Sequence, residues 1–422
     1  MALAGPRCDG LIPFSGRQFG ANMIESEQPM SGLGTTPARR HDYLFTFSFD
    51  TYADAVRRGM MRPPDRILST LLEHPSVGRV VVANPMRWFA RVWAGVLLDR
   101  PYRFPTNERA HLEQPARLSR RGPISIAEVQ REYARYGRLL ERAALMHLED
   151  RPLVLTTHPW VAGFSDLSWA GGVTYFGRDD WASGPPKPAL IPSFVEAYRR
   201  MSAAGHAVSA VSQQIVDRIQ PTGPSLVLPN GVEPSEWLGR QPSDPPSLKE
   251  IPHPRATYAG TLDSRLDVHG IVELASRCPD LQIVLVGPAP NREYLKPVSS
   301  HPNVHVRPQV GRGELVACLR NSDIGLLAHH RTPLTEAMSP LKVYEYLAAG
   351  CPVLATDLPP VRRISDRVLL APDVASLAEL VSTALTLGRW EEASRQAFIN
   401  QNSWAERHNQ LLELAASTTR AK

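Results

Sequence analysis

Apolar and polar positions along the chain fall into two successive sets of alternating strand-like and helix-like patterns. Short apolar runs at 43–49, 79–84, 153–157, 173–176, 206–211 and 226–228 read as strands covered on both faces. Between them, 63–74, 126–148 and 191–201 carry apolar residues at helical spacing. The stretch QPSDPPSLKEIPHP at 241–254 breaks the pattern and reads as a Pro-rich linker. A second set follows, with strands expected at 256–259, 281–286, 304–306 and 324–327 and helices at 267–277, 314–321, 376–387 and 402–416. Such alternation predicts an α/β chain of two doubly wound parallel sheets, which bind ligands beyond the C-terminal ends of their strands. The domains are expected at 41–240 and 255–399, with a terminal helix at about 400–417 packing back on the first. Residues 1–40 lack periodicity and are expected to be a disordered lead.

The most informative stretch is SPLKVYEYLAAGCPVLATDLPP at 339–360. Ser339 suits an N-cap and Pro340 the first helical position, where a missing N–H costs nothing. Gly350 ends the helix and Pro352 prevents its continuation. Val353, Leu354 and Ala355 then form a buried strand. Leu341, Tyr344, Leu347 and Ala348 should face the core, while Lys342 and Glu345 project together from another face. A helix start attracts anions through its free N–H groups, a lysine there adds a point charge, and a carboxylate one turn on can accept from sugar hydroxyls. The same pair also reads as an ordinary exposed Lys–Glu contact.

Composition sharpens this slightly. Of the 47 basic residues only five are lysines, at 187, 249, 296, 342 and 422, so a lysine in this turn suggests that a compact ammonium is wanted. The net charge of +5 does not by itself imply nucleic acid, and none is expected as a partner. Cys8, Cys278, Cys318 and Cys351 show neither zinc nor disulfide spacing, which fits a reducing cytoplasm. No Asp-x-Asp motif follows a strand to hold a cation, so neither a metal nor another cofactor is expected. Between 87 and 121, arginines alternate with Trp88, Phe89, Trp93, Tyr102 and Phe104. That segment is either a solvated face with inward aromatics or a surface for anionic lipid or a phosphorylated acceptor.

The 339–360 motif, together with PNGV at 229–232 and YAGTLDSRLD at 258–267, resembles the family 4 glycosyltransferases of the GT-B fold, in particular the bacterial branch of teichuronic-acid and other polysaccharide-assembly enzymes. The likeness spans roughly 42–415 and is strongest in the C-terminal half. It implies two Rossmann-like domains facing a central cleft and a nucleotide-sugar donor bound by the second. Carried over, Glu345 would hold the ribose hydroxyls and Arg265 would neutralise the diphosphate. Gly260, Thr261 and Gly287 would let backbone approach it, with Ser339 and Lys342 completing the cradle. Arg265 could instead merely pair with Asp263 or Asp267. His158, at the end of a strand in the first domain, would face the donor sugar and join Arg265 and Lys342 in catalysis. Trp160, Asp179 and Asp180 would lie on the acceptor side.

Two features depart from the resembled family. The second glutamate usual eight residues before the ribose one is Ala337 here, and the glycine-rich loop after the first strand is replaced by FDTYADAVRRGMMRPP. The implied activity is a cytoplasmic, metal-independent and retaining transfer of a sugar from a nucleoside diphosphate to a hydroxyl acceptor. The enzyme could lie peripherally at the inner face of the membrane. A nucleotide-sugar epimerase of the same fold, or a sugar-binding scaffold subunit, are the alternatives. A dehydrogenase is excluded by the lack of GxGxxG after the first strand of either half.

Overall fold

The structure, a computed structural model, describes residues 40–98, 102–149, 151–183 and 188–419. The expected lead at 1–40 therefore falls outside the described residues except for Arg40. Two all-parallel sheets organise the rest. The first is built from β1 (His41–Thr46), β2 (Val77–Ala83), β4 (Ala110–Glu113), β6 (Leu153–Thr156), β7 (Gly172–Gly177), β8 (Ala207–Ala210) and β9 (Ser225–Val227), in the order β4-β2-β1-β6-β7-β8-β9. A two-residue pair, β3 (Arg87–Trp88) with β5 (Ala116–Arg117), stands apart. The second sheet contains β10 (Arg255–Ala259), β11 (Gln282–Val286), β12 (Val304–Arg307), β13 (Ile324–Leu327), β14 (Val353–Thr356) and β15 (Val368–Ala371), ordered β12-β11-β10-β13-β14-β15. Strand order therefore reverses between β1 and β6 in one sheet and between β10 and β13 in the other, and ligands bind doubly wound sheets at such switch points.

The apolar runs form these strands because helices cover both faces, and each sheet has its own core. The expected linker at 241–254 is not free. Leu248 and Ile251 are buried with Val284, Val286 and Cys318, and the Asp244 carboxylate pairs with both terminal nitrogens of Arg255 at 2.8 and 2.9 Å. Two apolar residues among prolines are enough to cover Val284 and Val286 of β11. The helix Trp404–Ser417 packs against β6, β7, β8 and β9. Its Leu411, Leu412 and Ala415 join the first core, and buried His408 lies 2.5 Å from the Thr70 hydroxyl. The two chain segments that run between the halves meet in a bridge, where the Val232 N–H donates to Asn402 O at 2.9 Å and the Trp404 N–H to Val232 O at 3.0 Å.

The C-terminal loops of the two sheets face each other. Ser212, after β8, donates its hydroxyl to the Ala337 carbonyl at 2.6 Å. Asn230, after β9, donates its side-chain amide to the Ser339 carbonyl at 2.6 Å. No described helix is long and apolar enough to cross a membrane.

Candidate active site

Gly260 follows β10 at the switch point of the second sheet, with φ at 147°, a conformation open to glycine but strained for other residues. A Cβ there would lie 2.3 Å from Lys342 Cε, and one on Gly287 (φ 151°) would lie 2.0 Å from the Gly260 carbonyl oxygen. The two turns after β10 and β11 thus touch backbone to backbone, and the lysine stem lies on that platform. The Lys342 ammonium sits 5.2 Å from the centre of the Tyr258 ring. Some of the residue's surface remains accessible, but its ammonium is enclosed. Burial, then the neighbouring Arg265 charge, lower its pKa to about 8. Among the described residues it makes no ion pair.

Arg265 is half-buried and held by Asp263, its Nε and one terminal nitrogen donating to the two carboxylate oxygens at 2.9 and 2.7 Å. That contact is the alternative weighed above, and it fixes the guanidinium beside Lys342 rather than removing it. The Asp263 hydrogen bond raises the Arg265 pKa, and Asp179 of the first half adds to the effect from across the cleft. His329, after β13, is buried with Nε2 3.1 Å from the Tyr258 hydroxyl. Burial, with Lys342 and Arg265 nearby, keeps it neutral by pushing its pKa well down. Thr261 is half-buried, and its carbonyl accepts from the Tyr258 hydroxyl at 3.3 Å.

The helix that carries Lys342 runs Leu341–Ala348, with Pro340 extended at its cap (φ −75°, ψ 102°). The expected start is therefore one residue too early. Ser339 does not cap it, because its hydroxyl accepts from the Asn230 N–H at 3.4 Å and its carbonyl from the Asn230 side chain. PNGV thus anchors the turn that precedes the helix Leu341–Ala348. Glu345 is only 6 % exposed, so it is no surface partner of Lys342. Arg312 donates to it at 2.5 Å and also binds Glu236. Burial opposes the charge on Arg312, but Glu345 and Glu236 outweigh it and hold its pKa above the usual value. Nothing in the sequence marked Arg312, one arginine among many at the start of an ordinary helix. Ala337 is 5 % exposed and packs into the core of the first half, so no carboxylate stands at the position of the second glutamate of the resembled pattern.

The first half differs from expectation at three residues. His158 does not emerge into the cleft and is 0 % exposed. Its ring lies among Phe49, Tyr133 and Trp160, with centroids 4.7, 5.0 and 5.5 Å away. Its Nδ1 accepts from the Trp160 N–H at 3.2 Å, which caps the helix Pro159–Phe164. That leaves the proton on Nε2, 2.6 Å from the Tyr133 hydroxyl oxygen. Burial lowers its pKa to about 3, so it stays neutral. Trp160 is likewise in the core, stacked on Phe194 at 4.9 Å with its indole N–H on Ser193 at 3.1 Å. Asp180 is buried and spent on its own turn, accepting from the Ala182 N–H at 3.1 Å and from the Ser183 hydroxyl. Only Asp179 stays accessible. It pairs with Arg178 Nε at 2.8 Å.

Comparison with known proteins adds a family to this geometry. Residues 257–386 match the family model for glycosyl transferases group 1. A Bacillus subtilis (strain 168) protein named putative teichuronic acid biosynthesis glycosyltransferase TuaH is 34 % identical over 104 residues, which is 24 % of this chain and 26 % of that protein. The match thus spans about a quarter of that relative's length. Among solved structures, the alpha,alpha-trehalose-phosphate synthase (UDP-forming) of Burkholderia vietnamiensis superposes with a TM-score of 0.64 at 13 % identity, covering 91 % of this chain and 100 % of that one. Sucrose-phosphate synthase from Thermosynechococcus elongatus gives a TM-score of 0.61 at 14 % identity, over 90 % and 99 % of the two chains. At such identities the likeness concerns the fold.

Proposed function

From a GT-B chain that carries a glycosyl transferases group 1 domain, we propose that this protein moves a sugar, with retention, from a nucleoside diphosphate to a hydroxyl acceptor. One observation carries the reading. A lysine ammonium that makes no ion pair among the described residues, beside a fixed guanidinium and two glycines at a switch point, calls for an anion from outside. The donor diphosphate would lie over Gly260 and Gly287, against Lys342, Arg265 and the first amides of Leu341–Ala348. Glu345, oriented by Arg312, would accept from the ribose hydroxyls. In the transfer step, Lys342 and Arg265 would stabilise the charge that grows on the departing diphosphate, and so the step would need no divalent metal.

For the acceptor, a hollow of about 480 Å³ opens beside β1, β2 and β4, lined by Asp54, Arg57, Arg87, Arg91 and Arg103 among others. Its basic lining suits an acceptor that bears negative charge. Close by in sequence, Phe89, Trp93 and Leu118 are 47, 76 and 78 % exposed, with Arg120 and Arg121 also exposed. That mixture supports peripheral contact with anionic lipid at the cytoplasmic face. The name of the B. subtilis relative suggests polysaccharide assembly as the setting.

The test is thermal melting of the full chain with a panel of nucleoside diphosphates and their sugars, in EDTA. At least one should raise the melting temperature. Lys342→Ala should remove most of that shift, since a charge-assisted phosphate contact contributes about 1.5–3 kcal/mol. If no nucleotide stabilises the protein, or if stabilisation requires magnesium or manganese, the reading fails.

A further inference from the structure

At the edge of the first sheet, β4 carries His111 and Glu113 on one face, and the helix Ile126–His147 ends against them with His147. One ligand atom from each lies within 4.8 Å of the other two. His111 Nε2 is 3.2 Å and His147 Nε2 4.0 Å from the same Glu113 oxygen. The imidazoles are stacked, with centroids 3.8 Å apart and planes 17° from parallel. Among the described residues no lysine or arginine pairs with Glu113. Side-chain exposures of 31–34 % leave all three reachable by an ion.

From this arrangement we propose a site for a borderline divalent cation, zinc above all, held by His111, Glu113 and His147. Two imidazoles and a carboxylate are a typical zinc set, with bonds of about 2.0–2.2 Å. Ligand atoms around such an ion stand roughly 3.3–3.6 Å apart, so closing the site takes one imidazole turning out of the stack until both Nε2 lone pairs converge on the ion. Both rings would bind through Nε2 in the neutral form, and the carboxylate would offset part of the ion's charge. His147 lies in the last turn of its helix, where the dipole favours a cation. Three protein ligands leave a fourth position for water, so the ion would be exchangeable rather than sealed in.

The position also suggests what the ion would do. His111 and Glu113 point to one face of β4, whereas Leu112 and Gln114, on the other, line the basic hollow. β4 is the outermost strand of its sheet, hydrogen-bonded on one side only. Zinc would clamp that edge strand to the long helix and so stiffen one wall of the hollow. The sequence holds no hint of this. The expectation of no metal rested on the absence of a motif, and the fold brings His147 to a His111/Glu113 pair that lies far upstream in the chain.

The experiment uses the full chain, stripped with chelator and then titrated with zinc against a chromophoric competitor. One equivalent should bind, the melting temperature should rise, and cobalt in its place should give a visible d–d spectrum. His111→Ala/His147→Ala should lower the affinity at least tenfold and abolish the cobalt bands. Glu113→Gln, the gentler change, should weaken binding while keeping the native circular dichroism, which covers the case of a double variant that misfolds. Equal zinc binding by wild type and both variants, or no binding at all, overturns the proposal. Nucleotide-induced stabilisation should survive in both variants, so the outcome is separable from that of the donor site.

Discussion

Lys342 and His158 are both enclosed ionisable residues, yet enclosure has opposite consequences for them. Burial and the Arg265 charge lower the pKa of Lys342 to about 8 despite the Glu345 and Asp263 carboxylates, so its charge is poised for use. A bound diphosphate favours the ammonium. Donor affinity should therefore be full below about pH 8 and decline as pH rises through that value, with the decline absent in Lys342→Ala. Isothermal titration at about pH 7 and 9.5 checks this, and a flat wild-type profile would count against it. His158 is instead sealed as a neutral cap. Its folded pKa of about 3 lies below the ordinary 6.5, so the unfolded chain binds the proton more readily. His408 is lowered likewise, to about 3, by burial. Their contributions are present above about pH 6.5 and are lost as pH falls toward 3, so melting temperature should drop steadily on acidification. His158→Ala should cost about 2–4 kcal/mol of stability, through a lost cap, a lost buried hydrogen bond and a cavity. A variant that melts like wild type would return the histidine to the list of catalytic candidates.

At the scale of elements, the donor site is a meeting of turns. β10 and β11 each end in a glycine with positive φ, and the helix Leu341–Ala348 lays its lysine across the first. Gly260→Ala places a Cβ 2.3 Å from Lys342 Cε in a backbone conformation that alanine resists. The lysine must leave its seat or the turn must open. We expect donor affinity to fall at least tenfold while circular dichroism stays native. Unchanged affinity would mean that Lys342 reaches the donor from some other pose. Gly239 has positive φ as well, but a Cβ there meets nothing within 4 Å, so its replacement should leave donor affinity alone.

Across the whole molecule, a chain of charge connects the halves. Arg66, on the helix Pro63–Glu73 of the first half, lies 3.1 Å from Glu236 in the segment that runs between the halves. Glu236 binds Arg312, and Arg312 binds Glu345. The residue proposed to hold the ribose is thus tied to the first domain through three successive ion pairs. Arg312→Ala would strand the Glu345 carboxylate in a nearly closed setting, and breaking such pairs costs about 3 kcal/mol or more. Both stability and donor affinity should suffer. Glu236→Gln keeps Glu345 paired and should mainly loosen the contact with Arg66. A double-mutant cycle between Arg66 and Arg312, read by melting temperature, measures whether they are coupled.

The sequence by itself determined the local elements and most of their order. Apolar runs and their spacing are properties of consecutive residues, and they placed elements such as the strand at 324–327 and the helix at 126–148 to within a residue or so. The helix-start pattern also marked Lys342 and Glu345, because such chemistry acts within one helical turn, whereas Gly260 was marked only through the resemblance. Short or charged elements escaped. The edge strand Ala110–Glu113 has no apolar run, since only its backbone and one face need to fit the sheet. Tertiary structure alone decided which polar residues are exposed and what they meet. His158 reads as a strand-end histidine until Phe49 and Tyr133, far away in the chain, close over it. Arg312 gains its role from Glu345, and His147 its neighbours from β4. Burial and charge pairing are sums over parts of the chain that only folding brings together, and no local pattern encodes them.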